Sequence, residues 1–101
     1  MNQITVDALA ALDHPTLIDV REPDEYATGH APGAVNLPLS ELPARVSEVP
    51  AGTPVHVICQ AGGRSARATE LLTVNGVDAI NVDGGTNAWI QQGHPLETSN
   101  A

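Results

Sequence analysis

Three short apolar runs alternate along the chain with stretches of helical spacing: T-L-I-D-V from Thr16 to Val20, V-H-V-I-C from Val55 to Cys59, and D-A-I-N-V from Asp78 to Val82. Runs this short and rich in β-branched residues read as buried strands, and helices between them imply crossover connections. The alternation therefore predicts an α/β fold, a small and largely parallel sheet flanked by helices on both faces. A chain of 101 residues fits one such domain over 1–101, with a polar end at about 97–101 expected to fray. Only Tyr26 and Trp89 are aromatic, so Leu, Val, Ile and Ala must fill the core, with Trp89 helping to close it.

Caps and breakers place the remaining elements. Thr5 suits the cap of a helix V-D-A-L-A-A-L on which Leu9 and Leu12 share a face. Pro23 suits the first turn of P-D-E-Y-A-T, and Gly29 its end. A turn at Pro32-Gly33 leads into A-V-N-L, a short strand closed by Pro38. S-E-L-P-A-R-V-S-E-V reads as an irregular helix with Pro43 in its first turn. Arg64 to Val74 forms a helix whose apolar positions include Leu71, Leu72 and Val74, closed by Asn75-Gly76. Asp83 and the Gly84-Gly85 turn open a last helix, T-N-A-W-I-Q-Q, which Gly93 ends.

The charge is lopsided, with twelve acids against four arginines and a formal net charge of -8. A nucleic acid or an anionic membrane surface requires a basic face, so the composition argues against both as partners. No apolar run approaches the roughly 20 residues of a membrane span. The start M-N-Q-I-T-V-D lacks a basic, apolar leader, and the single cysteine forms no internal disulfide, so a reducing cytoplasm is the expected compartment. His14, His56 and His94 show no spacing that would join Cys59 in a metal site, and no metal is expected.

The stretch C-Q-A-G-G-R-S, Cys59 to Ser65, carries the chemistry. Ligands of open α/β sheets gather beyond the C-terminal ends of the strands, which is where Cys59 ends the strongest apolar run. Gly62 and Gly63 permit a loop whose successive N–H groups point inward, and the helix behind adds unpaired N–H groups and the positive end of its dipole. These features favour a thiolate, so the thiol pKa is expected below its free value of ~8.5, with Arg64 reinforcing the effect. A cysteine ending an apolar strand is by itself more often a packing residue. The order of strand end, Cys, glycines, Arg and helix start favours a nucleophile in an anion cradle.

Four segments resemble the rhodanese family: L-I-D-V-R-E-P-D-E-Y (17–26), G-H-A-P-G-A-V-N-L-P (29–38), V-I-C-Q-A-G-G-R-S-A (57–66) and V-D-G-G-T-N-A-W (82–89). The resemblance implies a rhodanese-like fold with Cys59 as the sulfur-accepting nucleophile. It further implies that Gln60, Ala61, Gly62, Gly63, Arg64 and Ser65 form the substrate-binding loop, with Arg64 as its cationic end. Sulfurtransferases of this fold have six residues from Cys to Arg and related phosphatases seven. The six here, Cys59 to Arg64, point to sulfur. Arg21 has two open roles: facing the pocket to attract an anionic donor, or pairing with Asp19 or Glu22 to fix its loop. The resemblance makes His30 structural.

The implied reaction moves a sulfane sulfur from thiosulfate, or a related persulfide or polysulfide, through a Cys59 persulfide. Its partners are a small sulfur-containing anion as donor and a thiol, cyanide or protein as acceptor, with no cofactor. The alternative is a non-catalytic rhodanese-like binding or regulatory module.

Overall fold

The computed structural model describes residues 1–98. Five strands, β1 (Asn2–Ile4), β2 (Thr16–Asp19), β3 (Val35–Asn36), β4 (Val55–Ile58) and β5 (Ala79–Val82), form one sheet in the order β1-β5-β4-β2-β3. Every strand pair is parallel. The helices are α1 (Val6–Ala10), α2 (Pro23–Thr28), α3 (Leu42–Arg45), α4 (Gly63–Val74) and α5 (Gly85–Gln91), with a 3₁₀ turn over Val46–Glu48 after α3. The α/β architecture expected from the alternating runs is the one observed.

Both faces of the sheet are covered, because successive strand residues point to opposite sides. Ile18, Val55, Val57 and Ala79 pack with Leu42, Ala68 and Leu72 on one side. Leu17, Ile58 and Val82 pack with Val6, Leu9 and Trp89 on the other. Burial on both faces explains why β2 and β4 read as continuous apolar runs rather than as alternating patterns.

The strand order positions the site. From β2 the chain moves outward to β3 at one edge, and from β4 it moves the opposite way, to β5. The connections leaving β2 and β4 therefore diverge, and a crevice opens at the C-terminal ends of these two neighbouring strands. Cys59 follows β4 and Arg21 closely follows β2, so both residues fall at this switch point.

Several expectations are corrected. β1 has no counterpart in the sequence reading; its N-Q-I is mostly exposed and gains its identity only by pairing with β5. α1 ends at Ala10, before Leu12, which is 43% exposed instead of sharing the core face with Leu9. Val74 is likewise exposed, and the inner face of α4 is Ser65, Ala68, Thr69 and Leu72. Asp83 does not cap α5: the cap is Gly84, in a left-handed conformation with no side-chain hydrogen bond. Glu97, placed at the start of the fraying end, exchanges two backbone hydrogen bonds with His30, at 2.8 and 2.9 Å. The rest of that expectation, beyond Thr98, lies outside the described residues.

Candidate active site

Cys59 is only 1% exposed, and on burial alone it would pass for a packing residue. The partners of its sulfur say otherwise. The Gly62 N–H donates to Sγ at 3.0 Å, and the Ser65 Oγ lies 3.2 Å from it. The same hydroxyl is 3.2 Å from the Gly62 carbonyl oxygen. It can accept the thiol proton while donating to that carbonyl, or turn its own proton onto an ionised sulfur.

Burial is the largest single influence on the Cys59 thiol and pushes its pKa up. Hydrogen bonds from the Ser65 hydroxyl and from the Ser65, Gly62 and Ala61 backbone N–H groups together outweigh it, so the pKa falls below the ordinary value. Each of these donors is neutral. The loop favours the thiolate by a cradle of amides and a hydroxyl, which the left-handed Gly62 (φ +111°) and the start of α4 aim at the sulfur.

Arg64 does not reach into this cradle. Its Nη1 and Nη2 form a two-pronged pair with Glu25 of α2, at 2.6 and 2.9 Å. Glu25 is held in place by a capping box, its Oε1 accepting the Glu22 N–H at 3.2 Å. Arg64 hydrogen-bonds the Glu25 carboxyl, and this contact holds its pKa at about 2, from an ordinary 4.5. The expected cation at the end of the loop is therefore matched by a carboxylate that the sequence reading did not connect with it.

Of the two roles left open for Arg21, the structure shows the pairing one. The residue is 1% exposed, and its Nε and Nη2 donate to Asp19 at 2.8 to 3.1 Å. Nη2 also donates to the Gly29 carbonyl at 2.8 Å, and Nη1 to the Gln60 Oε1 at 3.0 Å. Gln60 in turn donates through Nε2 to Asn87. Gln60 thus points away from the cradle and anchors the loop, and Ala61 and Gly63 form its exposed rim.

The back of the loop rests on the start of α5. Thr86 N–H and Oγ1 both donate to the Cys59 carbonyl, at 2.8 and 3.0 Å, and Asn87 N–H donates to the Gln60 carbonyl at 2.9 Å. The contact is close enough to require glycine at position 85, where φ is +59° and a Cβ would stand 2.6 Å from the Cys59 carbonyl oxygen. Glu25, Gly85, Thr86 and Asn87 are the site residues that sequence reasoning did not assign; the signals were the V-D-G-G-T-N segment for the last three and the L-I-D-V-R-E-P-D-E-Y segment for Glu25.

His30 is buried, stacked on Tyr26 with ring centroids 3.7 Å apart and bonded through Nδ1 to the Tyr26 carbonyl, a packing role. A concavity of about 720 Å³ lined in part by Leu9, Leu12, Trp89 and His94 lies near the start of β2, the end of the sheet away from Cys59. Among the described residues no helix is long and apolar enough to cross a membrane, and no three His, Cys, Asp or Glu residues converge as metal ligands.

The family model for the rhodanese-like domain matches residues 5–92, most of the chain. The chain belongs to the rhodanese-like family. The uncharacterized protein YqhL of Bacillus subtilis is 47% identical over 74 residues, which cover 72% of this chain and 59% of that protein. The chain thus spans less than two thirds of that relative. A protein of Allochromatium vinosum named a sulfurtransferase is 37% identical over 89 residues, covering 87% of this chain and 83% of its own. Among solved structures, a rhodanese-related protein of Thermoplasma volcanium superposes with a TM-score of 0.93 at 33% identity, covering 98% of this chain and 100% of the other. The rhodanese-like fold expected from the four segments is thereby established.

Proposed function

We propose that this rhodanese-like domain is a sulfurtransferase in which Cys59 carries the sulfur. The observation that carries the reading is the cradle itself: a cysteine sulfur at a strand end, held by neutral N–H and O–H donors that lower its pKa. The Cys59 thiolate attacks the outer sulfur of the donor, a new S–S bond forms, and the old one breaks with its electron pair on the leaving group. With thiosulfate the products are the Cys59 persulfide anion and sulfite; with a persulfide R–S–SH they are the Cys59 persulfide and the thiolate R–S⁻. A thiol, cyanide or a protein thiol then attacks the outer sulfur of the persulfide and restores the Cys59 thiolate.

Gly62, Gly63 and the rim at Ala61 are proposed as the substrate-binding segment, with Ser65 stabilising the charged sulfur. Arg21 and Gln60 border this segment and hold the loop through their hydrogen bonds to Asp19, Gly29 and Asn87. No step calls for a metal or cofactor. A six-residue loop that closes until Cys59 is 1% exposed supports a single sulfur atom as cargo over a tetrahedral phosphate.

Intact-mass measurement after exposure to thiosulfate, and separately to a small-molecule persulfide, tests the reading. The native protein gains one sulfur atom that cyanide removes, and Cys59→Ser gains none. No adduct from either donor would sink the proposal and favour a non-catalytic binding module, whereas release of phosphate from an aryl phosphate would favour a phosphatase.

A further inference from the structure

The two arginines that flank the Cys59 loop, Arg21 and Arg64, are each matched with a carboxylate. Arg21 is buried against Asp19, and Arg64 is held in the two-pronged pair with Glu25. Neither is among the hydrogen-bond donors to the sulfur, which are the amides and the Ser65 hydroxyl. The two pairs differ in position. Asp19 and Arg21 are inaccessible, with side chains 0% and 2% exposed, whereas the Glu25 and Arg64 side chains are about one third exposed, at 34% and 36%. The Glu25 carboxylate is the main reason that Arg64 holds its proton more tightly than usual, and an ionised Cys59 adds a smaller share. Of the two arginines that flank the loop, Arg64 is therefore the one that a donor could approach, and Glu25 occupies it.

Resting on the sulfur-transfer reading above, we propose that Glu25 is a specificity-determining residue. By pairing with Arg64 it cancels the positive charge at the end of the loop, so the site favours donors of low charge, persulfides, over the thiosulfate dianion. A free cation would stabilise the sulfonate end of thiosulfate as its sulfur is transferred, whereas persulfide transfer draws on the amide cradle for the outer sulfur. Glu25 is suited to this role because it does not swing freely. Its Oε1 accepts both the Glu22 N–H and an Arg64 N–H, and Pro23 begins the helix that carries it. A thiosulfate ion would have to displace a preorganised two-pronged carboxylate, and sulfite would have to leave past it.

The test separates charge from structure. Alkylation of Cys59 by anionic iodoacetate and by neutral iodoacetamide gives a rate ratio that reads the local field and requires no sulfur transfer. In Glu25→Gln, which keeps the side-chain shape and the acceptor for the Glu22 N–H, the iodoacetate-to-iodoacetamide ratio rises about tenfold. The KM for thiosulfate falls several-fold, and the KM for an uncharged thiol's persulfide shifts less. In the double variant Glu25→Gln with Arg64→Met the ratio returns to the native value, because the pair it removes is neutral. A ratio unchanged in folded Glu25→Gln, or well below native in the double variant, would overturn the role of Glu25, the latter by making Arg64 a direct anion contact. If neither donor loads native Cys59, the sulfur-transfer reading fails, and the donor preference with it, whatever the ratio shows.

Discussion

Arg21 donates a 3.0 Å hydrogen bond through Nη1 to the Gln60 side chain, across 39 positions of sequence. That contact couples the buried Asp19–Arg21 pair at the end of β2 to the loop that carries Cys59 at the end of β4. Because Gln60 passes on to Asn87 of α5, the loop is clamped between two connections of the sheet. The cradle is thus preorganised by residues that never touch its sulfur.

Replacing Arg21 by alanine leaves the Asp19 carboxylate buried without a countercharge, and the expected cost is about 3–5 kcal/mol of stability. Arg21→Lys keeps the charge but cannot reproduce the fork that reaches Asp19, Gly29 and Gln60 together, so it is expected to be folded, less stable and slower in Cys59 alkylation. Urea unfolding and alkylation rates check both. A stable, fully reactive Arg21→Ala would show that the clamp is dispensable.

Ser65→Ala removes the hydroxyl that lies 3.2 Å from the sulfur and keeps the backbone N–H. Less stabilisation of the thiolate raises the Cys59 pKa, so the pH profile of iodoacetamide alkylation moves to higher pH and the rate at neutral pH falls several-fold. A profile that coincides with that of the native protein would assign the thiolate to the amides alone.

Two glycines of the site separate sharply under substitution. Gly85→Ala drives a Cβ to 2.6 Å from the Cys59 carbonyl in a left-handed conformation, and about 2–4 kcal/mol of destabilisation is expected, with loss of sulfur loading. Gly63→Ala meets nothing within 4 Å at the start of α4, and a stability change within about 1 kcal/mol is expected. Thermal melts of the two variants make the comparison.

Acid should dissolve the Glu25–Arg64 pair in a defined window. The folded-state pKa of Glu25 is depressed to about 2 from 4.5, so the pair's contribution to stability is complete above about 4.5 and lost as pH falls towards 2. Both side chains are about one third exposed, and solvent screening keeps the contribution modest. The Tm difference between the native protein and Glu25→Gln is expected to be greatest near neutral pH and to narrow below pH 4.5. A difference independent of pH would remove the pair from the stability of the fold.

What was legible in the sequence is what depends on neighbours in the chain. The runs Thr16 to Val20 and Val55 to Cys59 announce central strands because each buries both faces, whereas β1 has one partly buried residue in three and exists only because β5 offers it an edge. Leu12 and Val74 show the limit of helical spacing. The first lies past the end of α1, and the second projects from the side of α4 away from the sheet.

The site divides in the same way. Cys59, the glycines and the helix start lie within seven residues, so their order alone announced a thiolate cradle, and the amide and hydroxyl bonds to the sulfur agree with it. The fate of the charges was decided by the tertiary structure. An arginine in a sequence is a cation without a partner, and the choice between donor and carboxylate rests on what the fold brings beside it. Parallel strands with crossovers carried Glu25 to Arg64 across 39 positions, and packing closed to water the local Asp19–Arg21 pair, one of the two roles the sequence left open. Sequence settles which groups are present and how the local backbone turns, and packing settles which charges remain free to meet a substrate.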